Sequence, residues 1–165
     1  MSTLKTTLFG LIAVAAAPLA AHAGTMAQAQ SAMERGQYSA AAVQLKPLVA
    51  RGDVRAEEAL GALYDAGLGV APDAVCAAKL FRAAAQQGSA AAQLNLANLY
   101  RKGRGVQADP VYAYAWADAA AASGEPGAQD ILDRLAREMP HAQLARAQSL
   151  AQRYVELYVE SFRSS

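Results

Sequence analysis

The amino-acid sequence predicts an all-α fold of stacked helix–loop–helix units. The first observation is a stretch written twice at a fixed 36-residue period. Copy one is GDVRAEEALGALYDAGLGVAPDAVCAAKLFRAAAQQ, Gly52 to Gln87, and copy two is GSAAAQLNLANLYRKGRGVQADPVYAYAWADAAAAS, Gly88 to Ser123. The second observation is that apolar residues in each copy recur at helical spacing. The third is punctuation: Gly, Asp and Pro stand where such helices would stop and start. A period of this length marks supersecondary units that bury their core between neighbours.

Each unit can be justified element by element. Ala56, Leu60, Leu63 and Tyr64 lie on one face of a first helix, matched by Ala92, Leu96, Leu99 and Tyr100. Gly67 and Gly103 follow that helix, where the chain turns into a left-handed conformation that glycine adopts without a Cβ clash. Gly69 and Gly105 tighten the loop, and Val70 and Val106 return an apolar side chain to the helices. Asp73 and Asp109 are N-caps for a second helix, and Pro110 suits its first position. That helix carries Ala77, Leu80, Phe81 and Ala84 on one face. Ala84 and Ala85, matched by Ala120 and Ala121, let the next unit approach closely while favouring the helix.

The pattern AxxxLxxLYxxGxGVxxD, followed by AxxxxxxAA and Gly, resembles the Sel-1-like repeat family, a relative of the tetratricopeptide repeats. It covers both copies in full. Trp116 matches a frequent aromatic of the family, where copy one has Leu80. The residue after Leu60, usually Gly in the family, is Gly61, but its counterpart is Ala97. The resemblance implies a short right-handed α-solenoid with N- and C-terminal capping helices. It also implies a role in protein–protein contacts, often in bacterial envelopes.

Residues 1–23 read as an export signal, outside the fold. Lys5 precedes the apolar run LFGLIAVAAAPLA, and Ala21-His22-Ala23 gives an A-x-A cleavage site, so the mature chain is expected to begin at Gly24. The run is shorter than a membrane span of ~20 residues. No stable membrane anchor is expected after cleavage, and the mature protein would be periplasmic or secreted. Loss of Lys5 leaves cations equal to the 14 acids. With no basic stripe, nucleic acid is not the expected partner.

Residues 24–165 are read as one repeat domain with divergent end units at 24–51 and 124–165. In the first, Met26, Ala29 and Met33 share a helical face that ends at Gly36. Tyr38, Ala41, Ala42, Leu45 and Val49 make a second helix, which Pro47 should kink or break near Leu45. In the last, Ala128, Leu132 and Leu135 keep the period, Ala136 replaces the tyrosine, and Met139-Pro140 makes a corner without a glycine loop. His141 to about Phe162 reads as one long capping helix, with Leu144, Ala147, Leu150, Ala151, Tyr154, Val155 and Tyr158 towards the stack.

Little in the sequence speaks for chemistry. Cys76 is the only cysteine, which leaves only pairing between chains open. It reads as a small residue on the second helix. His141 is the one histidine after cleavage, at a helix start, and gives little support to a triad or a zinc site. Glu57 and Glu58 read as a solvated helix face. The GLG and GRG loops recur with the repeat and read as structural turns. Tyr112, Tyr114 and Trp116 suggest packing between helices more than a ligand box. No catalytic residue, cofactor or metal site is expected.

The functional reading is a non-enzymatic envelope scaffold that binds a protein or peptide partner. The alternative is an envelope enzyme or small-ligand protein with an unrecognised site. In the tetratricopeptide relatives the first helix of each pair lines the groove. That carry-over makes Glu58, Ala62 and Asp65 candidate contact positions, with Leu94, Asn98 and Arg101, then Asp130, Arg134 and Arg137, at the matching offsets. These triplets differ between units while the packing positions beside them repeat.

Overall fold

The computed structural model describes residues 25–163; the expected export signal and its cleavage site lie outside them. The helices are α1 (Met26–Glu34), α2 (Tyr38–Val49), α3 (Val54–Ala66), α4 (Ala74–Gln86), α5 (Ala90–Lys102), α6 (Pro110–Ala122), α7 (Ala128–Glu138) and α8 (His141–Val155). A π turn over Glu156–Glu160 and a last turn, α9 (Ser161–Arg163), continue α8. There is no strand among the described residues.

Helix ends form where the capping chemistry puts them. The carboxylate of Asp53 accepts from Ala56 N, that of Asp73 from Cys76 N, and that of Asp109 from Val111 N and Tyr112 N. Ser89 accepts from Ala92 N with its hydroxyl. Such caps are each worth about 1 kcal/mol. Pro110 occupies the first turn of α6, where it costs no hydrogen bond. Gly67 and Gly103 end α3 and α5 in the left-handed region, both with φ of 66°.

Each helix packs on the next: α1 on α2, α2 on α3, and so on to α7 on α6. The core is divided along the stack. Ala29, Ala41, Leu45, Ala56, Leu60 and Leu63 fill one cluster, with Val70 against it. Phe81, Ala84, Ala85, Ala92, Leu96 and Trp116 belong to the next, with Val106 against it. Ala84 and Ala120 have no exposed surface, as the close approach of units demands.

The GxG loops do more than turn the chain. At Gly69 an added Cβ would overlap the backbone of Tyr38 and Ser39 at the start of α2. At Gly105 it would overlap the backbone of Ala74 and Val75 at the start of α4. Each loop therefore lies, backbone on backbone, over the second helix of the preceding unit. Ser39 Oγ donates to the Gly69 carbonyl at 2.9 Å across the first of these junctions.

Two expectations are corrected here. Pro47 does not end α2, which runs on to Val49. The hydrogen bond it deletes is the one to the Val43 carbonyl. Val43 is on the exposed side of the helix, where water can serve that carbonyl, while Leu45 and Leu48 hold the inner side in the core. The C-terminal helix is not one α-helix, because the π turn interrupts it. Val159, within that turn, is buried beside the expected inward residues Tyr154, Val155 and Tyr158.

Gly36 and Gly105 separate the two demands made on a glycine. Both have positive φ, but nothing lies within 4 Å of a Cβ added at Gly36. Gly36→Ala should cost about 1–2 kcal/mol, the penalty of a left-handed L-residue. Gly105→Ala carries that penalty plus a backbone overlap and should cost clearly more in urea denaturation. Equal losses would show that the loop does not set the spacing of the units.

Candidate protein-interaction surface

The first-helix triplets occupy α3, α5 and α7, and their surroundings differ. Glu58 is half-buried and accepts from Ser89 Oγ at 2.7 Å. Ser89 thus caps α5 and tethers α3 at once. Asp65 forms an ion pair with Arg104 at 2.9 Å, and the same guanidinium donates to the Asp65 backbone carbonyl at 3.0 Å. Leu94, Asn98 and Arg101 are half-buried, with Asn98 Nδ2 donating to the Leu94 carbonyl and Arg101 Nη2 to Asn98 Oδ1. Asp130, Arg134 and Arg137 are exposed along α7, as Ala62 is on α3. Side chains thus tie the α3 triplet to the second repeat. No hydrogen bond or ion pair joins the α5 and α7 triplets among the described residues.

Glu57 is not on a solvated face. It is only 6% exposed, and Gln87 Nε2 donates to its carboxylate at 2.8 Å. Burial, with the Asp53 carboxylate nearby, pushes its pKa up, and the Gln87 hydrogen bond only partly opposes this. Gln93, one period on, is fully buried. Its amide donates to the Ala85 carbonyl at 3.1 Å and the Tyr158 carbonyl at 3.3 Å, joining α4, α5 and the C-terminal rod. A polar residue at one recurring buried offset was the available sequence signal for both.

The aromatic residues of α6 divide between two partners. Trp116 is buried against Tyr154 and Tyr158, with ring centroids 4.5 Å and 5.3 Å away. Tyr112 stacks on Tyr100 at 5.2 Å and keeps 41% of its surface exposed. Arg82 Nη2 donates to Tyr100 Oη at 2.7 Å. Burial, with the surrounding tyrosines, raises the Tyr154 pKa to about 12.

Open recesses follow the repeat. One is lined by Lys46, Tyr64, Val70 and Asp73, the next by Arg82, Tyr100, Val106 and Asp109, each residue 36 positions on. A third, of about 550 Å³, lies between the start of α6 and α8 and is faced by Arg146 and Arg153. Among the described residues no His, Cys, Asp or Glu group is arranged to hold a metal. No described helix is long and apolar enough to cross a membrane.

The Sel1 repeat model matches residues 54–89 and 90–125. The chain carries two Sel1 repeats. Its repeats resemble those of a protective antigen of uropathogenic Escherichia coli strains that displays an SLR fold, at 29% identity and a TM-score of 0.78. That match covers 82% of this chain and 30% of the antigen. A Sel1 repeat protein from Oxalobacter formigenes is 27% identical with a TM-score of 0.65, over 79% of this chain and 56% of the other. The chain therefore spans less than two thirds of either protein. No curated protein matches it. Sel1 repeat proteins are generally protein-interaction scaffolds, and their fold is typically non-catalytic.

Asp118 offers a test of how α8 seats on this stack. It is half-buried on α6, beside Gln148 and Gln152 of α8, and burial raises its pKa. The folded chain then holds this proton more tightly than the unfolded chain. Its contribution is therefore fully present below the unfolded pKa and lost as pH rises through the folded value. Asp118→Asn should raise Tm near neutral pH, and the gain should vanish below about pH 3, where both states are protonated. A gain that persists in acid would point to a cause other than the buried charge.

Proposed function

We propose that this Sel1 repeat chain is exported to the bacterial cell envelope. There it acts as a non-enzymatic scaffold, holding a partner protein or peptide on the face formed by its first helices. The observation that supports this is the contrast within each unit. Packing positions such as Leu60, Leu96 and Leu132 are buried in every copy, while Ala62, Asn98 and Arg134 change character at a constant offset. The stacked core constrains the first set. The second set is free to follow a partner, and at Arg134 and Arg137 it presents exposed charge.

Capture with the full-length gene product expressed in a Gram-negative host tests this reading. Protein recovered from the periplasmic fraction should begin at Gly24. Immobilised mature chain should retain a defined partner from envelope extract, and Arg134→Glu with Arg137→Glu should speed its release without altering helicity. A full-length cytosolic product would overturn export. Retention of nothing beyond a blank matrix would overturn the scaffold role.

A further inference from the structure

The 550 Å³ recess marks the place where the repeat pattern is incomplete. In the first units, the GxG loop of the following unit covers the start of the second helix: Gly69 lies on Tyr38–Ser39 and Gly105 on Ala74–Val75. One period further on, the corresponding residues are Pro110 and Val111. The next unit has no glycine loop to lay there. The chain turns instead at Met139-Pro140, and α8 returns along α6. Pro110 and Val111 consequently line the open recess.

The far wall is a stripe of α8 bearing Arg146, Leu150 and Arg153. Neither arginine makes a hydrogen bond or ion pair with another described residue. The acid on the opposite wall, Asp109, spends its Oδ1 on Val111 N and Tyr112 N, at 2.8 Å and 3.2 Å. The exposed Tyr112 ring forms an apolar edge. At 1.5 Å per residue, seven helical positions separate Arg146 from Arg153 by about 10 Å. An extended peptide covers that distance in about three residues at 3.3 Å each.

We propose that this socket binds an acidic, extended segment of a partner protein, which takes the place of the missing loop. Carboxylates on one side of the segment, two or four residues apart, pair with Arg146 and Arg153, and the peptide backbone lies over Pro110 and Val111 beside Tyr112. The inference rests on the scaffold reading for its class of ligand, but it assigns a surface other than the first-helix face.

Fluorescence anisotropy with a labelled deca-glutamate peptide tests it on the full-length chain. Binding should weaken with salt, and Arg146→Glu with Arg153→Glu should lower affinity by about tenfold, since two exposed pairs are each turned into a repulsion. The Arg134→Glu, Arg137→Glu variant should bind like the unaltered chain. Circular dichroism of both variants establishes that each is folded. Weakening by the α7 variant alone, or equally by both, would overturn the socket while leaving the scaffold reading intact. Failure of the unaltered chain to bind the peptide, or tighter binding of a single-stranded oligonucleotide at the same arginines, would overturn the acidic-peptide occupant. Partner capture from envelope extract is independent of either result.

Discussion

The close contact of each GxG loop with the preceding unit is the constraint on which the stack depends. Two backbones meet there with no room for a Cβ, at Gly69 over α2 and at Gly105 over α4. Fixing that contact fixes the distance between successive helix pairs. Close packing elsewhere along the junction follows from it. Ala84, Ala85 and Ala92 are small because helices held this near leave space for a methyl group and little more. Polar ties then align successive junctions: Ser39 to Gly69 across the first, and Ser89 to Glu58 across the next.

The same constraint explains how the stack stops. The last unit lacks the loop, so α8 is free to leave the repeat path and lie along α6. Trp116 then faces a helix that the earlier units do not have, and Tyr154 and Tyr158 meet it there. Aromatic pairs of this geometry add about 0.5–1.5 kcal/mol beyond the area they bury. Gln93 and Arg163 secure the end of the rod, the first through the Tyr158 carbonyl and the second to the Ala122 carbonyl at 2.7 Å. The π turn carries the first of these anchors, where the rod meets α4 and α6 together.

Much of this was legible in the sequence because the controlling positions are written twice. Helix faces, N-caps, left-handed glycines and small junction residues each follow from local chemistry, and repetition separates them from coincidence. What escaped depends on residues distant in the chain. Glu57 reads as surface because its helix alone gives no partner, whereas Gln87 reaches it from 30 residues away. Gly69 and Gly105 read as tight turns because sequence does not display the backbone they touch. Val159 stands four residues after Val155 on the same helical face, and ordinary spacing could have found it. The candidate positions were placed on the first helices as expected, but the internal use of Glu58 and Asp65 requires the folded neighbours to be seen.

Divergence between repeats therefore has two distinguishable causes. At Glu58 and Asp65 the side chain departs from its repeat equivalents because it ties one unit to the next, so its identity answers to Ser89 and Arg104. At Arg134 and Arg137 no such internal bond exists among the described residues, and the same holds for Arg146 and Arg153 on the cap. These untied arginines all lie at the C-terminal end, where the unit-to-unit contact has ended. An external partner can satisfy that charge without disturbing the core, because none of these four side chains holds two parts of the fold together.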